Sequence, residues 1–548
     1  MDNTAVMREK NILEVKNLSV SFRAPKGEIE AVKNVSFDLR KGEILAIAGE
    51  SGCGKSVLCK AIMKLLPENA FLKSGRIKIN GEDITDFCRK QMDKLRGKAF
   101  SMIFQDPMSS LDPTYPVGDQ IAEAVRVHSP QISINEARQR AVGLMEMVGI
   151  GRSQDRYVMY PYELSGGMRQ RIVIAIAMAQ EPLMIFADEP TTSLDVTVQS
   201  DILDLFSRIK NETGTSIVFV SHDLSAAAGI ADRVIVMKDG QITETGTADD
   251  ICYRPVHPYT AGLIRYASGI GAESEKRITG DTLLDVRGLT LSFRLGRSSS
   301  VKAVDDFSFN IREGEIFGLA GESGSGKSTA ARCIMGIYGP DRGQVYFDGV
   351  NITDPAVTRQ QKKLLRTSIQ MVFQDPAASL NDRMKIKDII TEPLKINHIK
   401  PAADSLREEA QNLLEDVGLN RSLADRYPAE LSGGMRQRVA IARALSTRPR
   451  LIIADEPVSS LDAPVRTQII ELFRKLRKER GFSLLFIAHD LSLIRNFCDR
   501  TGVMFRGKMV EMAETENLFS DPRHPYTISL LSAIPAPDPV KERAKRIG

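Results

Sequence analysis

Ile44–Ser56 reads ILAIAGESGCGKS, and Ile316–Ser328 reads IFGLAGESGSGKS. Each stretch sets an apolar run of strand character before a glycine-rich loop, and a helical pattern starts at the lysine. Glycines let a backbone wrap closely around phosphates, and amides at the head of a helix point toward negative charge. The lysine of such a loop reaches the β/γ-phosphates, and the following hydroxyl ligates Mg²⁺. Gly49, Glu50, Ser51, Gly52, Cys53, Gly54, Lys55 and Ser56 are therefore candidate nucleotide-binding residues. So are Gly321, Glu322, Ser323, Gly324, Ser325, Gly326, Lys327 and Ser328. A single match could be a chance glycine turn; two matches in the same context make that reading negligible.

The pair belongs to a longer duplication. FQDP occurs at Phe104–Pro107 and Phe373–Pro376, and LSGGMRQR closes both Tyr162–Arg171 and Ala429–Arg438. ADEP occurs at Ala187–Pro190 and Ala454–Pro457, HDLS at His222–Ser225 and His489–Ser492, and HPYT at His257–Thr260 and His524–Thr527. From the LSGG segment onward each motif returns 267 positions later, as Ser165 and Ser432 or His257 and His524 illustrate. That period is far too long for a solenoid unit and amounts to a whole domain copied once. The seam falls in a polar stretch, giving a first domain over 1–267, a linker over 268–282 and a second domain over 283–548.

Each copy reads as α/β. In the first, strands are expected at Leu13–Phe22, Ala31–Leu39, Ile44–Ala48, Leu183–Ala187 and Ser216–Val220, with helices at Ile134–Val148 and Val196–Thr213. Continuous apolar strands alternating with helices indicate a parallel sheet covered by helices. In such sheets ligands bind at the carboxyl ends of the strands, where both ADEP segments fall. Asp188 and Asp455 suit a magnesium-holding role, and Glu189 and Glu456 suit a base or water-orienting role.

Composition narrows the class. Lys and Arg number 74 against 70 for Asp and Glu, a balance that gives no concentrated basic footprint for nucleic acid. No apolar run approaches the roughly 18–20 residues that span a bilayer, and the N-terminus lacks a secretory pattern. If the protein works at a membrane, other chains supply the pore. The cysteines at 53, 59, 88, 252, 333 and 498 form no CxxC pair, so neither a zinc site nor a disulfide framework follows and a reducing compartment is expected. Cys53, at a helix head beside Lys55, is expected to have a lowered pKa and raised reactivity.

At LSGGMRQR the chain departs from a generic phosphate-loop enzyme. With the phosphate loop, FQDP, ADEP, SLD and the histidine, it resembles the ATP-binding-cassette family over nearly its whole length, twice. The resemblance implies two nucleotide-binding domains in tandem, each with a parallel-sheet core, an antiparallel β subdomain and a helical signature subdomain. It also implies that the halves pair head to tail within the chain around two ATPs. One site would combine Gly49–Ser56, Gln105, Asp188, Glu189 and His222 with Ser432, Gly433 and Gly434. The other would combine Gly321–Ser328, Gln374, Asp455, Glu456 and His489 with Ser165, Gly166 and Gly167. Metal would be held by Ser56, Gln105 and Asp188, and by Ser328, Gln374 and Asp455. Asp195 and Asp462 would couple the sites, and Phe22 and Phe293 fall where the family stacks an aromatic on adenine, although a core role suits them almost as well.

The HPYT segments and the DEPTTSLDVTVQSDI and DEPVSSLDAP runs resemble the two ATPases of oligopeptide, dipeptide and nickel importers. That resemblance implies a peripheral ATPase on the cytoplasmic face of the inner membrane. Its partners would be two integral-membrane permease subunits and an extracytoplasmic solute-binding protein, with no nucleic acid. No cysteine follows Cys498, so no iron–sulphur cluster is expected in the extension. The rival reading is a soluble tandem cassette acting on ribosomes, which usually carries a long basic linker. A DNA-repair cassette wants a coiled-coil or zinc insertion. The sequence offers neither feature.

Overall fold

The structure is a computed structural model that describes residues 10–24, 27–192, 194–267, 280–295, 299–354, 356–459, 461 and 463–547. Most of the expected linker and Asp462 lie outside the described residues. Two compact units emerge, one within Met1–Leu194, Val198–Ile270 and Pro535–Gly548, the other within Asp195–Thr197 and Gly271–Ile534.

The first unit is built on Ile44–Gly49, buried at every position. Such a strand has no solvent-facing side and must sit inside a sheet covered on both faces. It lies between Ser216–Ser221 and Arg233–Lys238 in a six-stranded sheet. Met184–Asp188 and Phe100–Ile103 extend the parallel part, and Gln241–Thr247 closes the other edge antiparallel. A four-stranded antiparallel sheet carries Gly27–Arg40, Asn11–Ala24, Ala70–Ile79 and Glu82–Asp83 in that order. Its inward residues Leu13, Val15, Leu18 and Val20 share a core with Leu58, Ile62 and Phe186. Helices Val117–Arg126, Ile134–Met147 and Gly166–Met178 pack on one another, burying Ile121, Met145 and Ile172.

The second unit repeats this plan. Ile316–Ala320 sits between Ser483–Ile487 and Arg500–Phe505, with Leu451–Asp455 and Ile369–Val372 on one side and Lys508–Glu514 on the other. Thr282–Leu295 and Ser299–Arg312 pair in its antiparallel sheet.

The last described helix, Pro539–Ile547, belongs to the first unit. The Tyr253 hydroxyl donates to the Asp538 carboxylate at 2.5 Å, and the Arg543 guanidinium donates to the Ala231 carbonyl at 3.2 Å. A sequence boundary placed at 283–548 does not anticipate this, because the docking of a polar helix leaves no local signature.

Candidate nucleotide site

Both phosphate loops leave the strand through glycines at positive φ: Gly49 at 152° and Gly54 at 101°, Gly321 at 146° and Gly326 at 107°. A Cβ on Gly49 would lie 2.3 Å from the Met237 carbonyl, and one on Gly54 would lie 2.4 Å from the Ala31 carbonyl. Only glycine fits the backbone so close to its neighbours. Helices Lys55–Ile62 and Lys327–Ile334 begin at the lysines. Lys55 Nζ is buried and donates to the carbonyls of Gly49 and Glu50 at 2.8 and 2.7 Å; Lys327 does the same to Gly321 and Glu322 at 2.7 Å each. The ammonium thus sits in the mouth of its own loop.

Strand ends bring the carboxylates to these loops. Ser56 Oγ donates to Asp188 Oδ1 at 2.7 Å, and Ser328 Oγ donates to Asp455 Oδ1 at 2.8 Å. Burial pushes both aspartate carboxyls up, against the pull of the serine hydroxyls and the neighbouring cations. Glu189 and Glu456 follow in a left-handed conformation, each at φ 48°. A non-glycine residue held there stores backbone strain of order 1–3 kcal/mol, a cost that concentrates at functional positions.

Glu189 Oε2 gathers three partners: Gln105 Nε2 at 3.0 Å, the Thr192 hydroxyl at 2.9 Å and His222 Nδ1 at 3.1 Å. Burial alone would raise its pKa, but the imidazole and the hydroxyl outweigh it and hold the carboxyl at about 2. Glu456 receives Gln374 Nε2 at 2.8 Å and lies 3.4 Å from His489 Nδ1. Its carboxyl is likewise lowered against burial, chiefly by His489, whose own pKa is raised in return. Each site therefore presents an ionised carboxylate beside a glutamine and a histidine, an arrangement able to orient a water and accept its proton.

Ser165 and Ser432 are exposed caps of helices Gly166–Met178 and Gly433–Leu445, accepting from the amides of Met168 and Met435 at 3.4 Å. Gly167 and Gly434 let neighbouring helices pack closely: a Cβ there would lie 2.4 Å from Val198 Cγ1 and 2.7 Å from Val465 Cγ1, displacing those side chains. Phe22 is half-buried near the end of its strand, and Phe293 is exposed with its edge toward Tyr338 at 5.5 Å between ring centres. Neither ring belongs to the buried core.

Two features escaped the sequence. Thr192 adds a bond to Glu189 that no motif announced, although its place three residues after the glutamate was visible. Cys53 corrects an expectation: it is buried, and burial pushes its thiol up despite Lys55 Nζ at 3.8 Å. The helix head and the nearby cation both favour the thiolate, but burial outweighs them.

The profile of the family described as "ABC transporter" matches residues 32–192 and 304–459. That of "Oligopeptide/dipeptide transporter, C-terminal region" matches 243–286 and 510–548. The chain belongs to the ATP-binding subunits of the ABC transporter family: two ATPase cassettes in tandem, each followed by the extension of the oligopeptide-importer branch. It is similar along its length to the glutathione import ATP-binding protein GsiA. The Escherichia coli (strain K12) protein is 40% identical over 574 residues, covering 98% of this chain and 92% of that one. The Salmonella typhimurium (strain LT2) protein is 39% identical over 584 residues, covering 100% and 93%. The chain is thus an ABC importer ATPase. Neither relative is a ribosomal factor. Among the described residues no helix is long and apolar enough to cross a membrane.

Proposed function

We propose that residues 1–267 and 283–548 form two cassettes, joined over 268–282, that close on two ATPs. The signature Ser165, Gly166 and Gly167 of one half completes the site of the other, and Ser432, Gly433 and Gly434 reciprocate. The exposed signature serines, each at a helix head where amides favour anions, support this reading. Phe22 and Phe293 stack on the adenines.

The donors suit Mg²⁺. Ser56 with Asp188, and Ser328 with Asp455, offer hard oxygens, a hydroxyl and a buried carboxylate in contact, at the end of the strand. Gln105 and Gln374 complete the protein's share. Held by these residues, Mg²⁺ would neutralise phosphate charge. Lys55 and Lys327 hold the phosphates; Glu189 and Glu456 orient the attacking water and take its proton; His222 and His489 fix the carboxylates. The observation that carries this assignment is the carboxylate fixed by glutamine and histidine, found in both copies.

The chain works at the cytoplasmic face of the cell membrane with two permease subunits and an extracytoplasmic binding protein. Its cargo is a small peptide of the glutathione type, supported by the full-length likeness to GsiA proteins. Proteoliposomes holding the permease pair and this chain, with ATP on the ATPase side and the binding protein on the opposite side, test it. ATP-dependent uptake of labelled glutathione or di- and tripeptides is expected; uptake of neither overturns the cargo assignment.

A further inference from the structure

The HPYT segments recur in the sequence, and the catalytic reading leaves them without a task. Both form the same linkage. In the first unit the Glu244 carboxylate accepts the amides of Val256 and His257 at 2.8 and 3.1 Å, fixing the approach to helix Pro258–Ala267. His257 Nδ1 then accepts the Tyr259 amide at 3.1 Å. The helix thereby delivers the Tyr259 hydroxyl to the phosphate loop, where it accepts the amide of Glu50 at 3.2 Å.

The second unit repeats every step. Glu511 accepts the amides of Arg523 and His524 at 2.8 and 3.0 Å. His524 Nδ1 accepts the Tyr526 amide at 3.2 Å, and the Tyr526 hydroxyl accepts the Glu322 amide at 3.1 Å. What braces the ring differs: Lys238 Nζ lies 5.0 Å from the Tyr259 ring centre, whereas Phe505 stacks on Tyr526 at 4.1 Å. The hydroxyl contact therefore survives a change in the packing around it, which marks the hydroxyl rather than the ring as the shared element.

We infer that Tyr259 and Tyr526 are positioning residues for nucleotide binding, each anchoring its phosphate loop to the C-terminal extension through the second residue of the loop. The inference rests on reading these loops as the nucleotide sites. Its physical basis is the grip on one stretch of backbone. Lys55 holds the carbonyls of Gly49 and Glu50 from one side, and Tyr259 holds the Glu50 amide from the other. When the lysine turns to phosphate it leaves both carbonyls, and the tyrosine remains to keep the first turn of the loop in place. A loop already fixed loses less conformational freedom on binding. Both phenols are neutral at physiological pH, and burial pushes them further from ionisation, Tyr526 up to about 12 and Tyr259 also upward.

The test is the full chain carrying Tyr259→Phe and Tyr526→Phe, which deletes two oxygens and keeps both rings. Binding of a fluorescent ATP analogue and steady-state hydrolysis are measured beside Lys55→Ala/Lys327→Ala. Dissociation constant and KM are expected to rise 3- to 10-fold while kcat falls less than twofold. His257→Ala/His524→Ala, which frees the helix head, is expected to raise KM in the same direction. Unchanged affinity in the tyrosine variant, with binding lost in the lysine variant, overturns the inference alone. Unchanged affinity in both overturns the loop assignment with it. A lowered melting temperature and kcat at unchanged KM would reduce the tyrosines to packing residues and also overturn the inference.

Discussion

The Thr192 hydroxyl donates to the Glu189 carboxylate at 2.9 Å, whereas its counterpart Ser459 turns its hydroxyl to the Glu456 carbonyl at 3.1 Å. The two halves therefore hold chemically identical glutamates with different numbers of donors. A hydrogen bond to a charged group contributes about 1.5–3 kcal/mol. Thr192→Val is expected to lower kcat roughly 3- to 10-fold, and Ser459→Ala to change it less than twofold. Equal losses in a steady-state ATPase assay would show that the difference has no kinetic meaning.

Glu189→Gln with Glu456→Gln keeps the shape of each side chain and removes its capacity to take a proton. A positioned base contributes on the order of 10²–10⁴ in rate. Hydrolysis is expected to fall at least about 100-fold while ATP binding persists. Turnover at wild-type rate in the double variant would dismiss both glutamates as bases.

The pairs also set a pH dependence of stability. Glu189 sits at about 2 in the folded chain against an ordinary 4.5. Its stabilisation is thus present above pH 4.5 and lost as pH falls toward 2. His489 is displaced upward from 6.5, so its contribution is complete below pH 6.5 and disappears as pH rises through the folded value. His489→Ala should therefore melt below wild type at pH 6, with the gap closing toward pH 9. The side chain is 33% exposed, and solvent screening keeps that gap to roughly 2 °C. A gap that widens with pH would contradict the ion pair.

Thiol chemistry separates Cys53 from Cys88. Cys88 is exposed, whereas Cys53 is buried with its thiol pushed up. A brief maleimide pulse at pH 7 should label Cys88 well before Cys53, as peptide mass spectrometry can show. Cys53→Ser installs the residue that the second loop has at Ser325 and should retain ATPase activity within about twofold. Rapid labelling of Cys53 would restore the reactive thiol expected from sequence.

The parts of this protein that were legible beforehand are those where chemistry demands particular atoms. Lys55, Ser56, Asp188 and Glu189 stand out as candidates by residue type and spacing, and the structure brings them together. Helix Val196–Thr213 has the ends expected from its pattern, and Ile134–Met147 differs by one residue. Strand Asn11–Ala24 runs two residues beyond expectation at each end, since pairing with Gly27–Arg40 extends it past its apolar core. Tertiary choices were not legible. Whether a hydroxyl three residues past a glutamate meets its carboxylate or its carbonyl depends on local side-chain rotation. The thiol of Cys53 was misjudged because proximity to a cation is visible in sequence, while desolvation is a property of the packed interior.

The placement of Pro535–Gly548 with the first unit has a practical corollary for anyone who divides this polypeptide. A clone stopped at the seam would omit the segment that carries Asp538 and Arg543, leaving Tyr253 and the carbonyl of Ala231 without those partners. Faithful dissection calls for those fourteen residues to be grafted back onto the first unit, because a cut between the duplicated halves is not a cut between the folded ones.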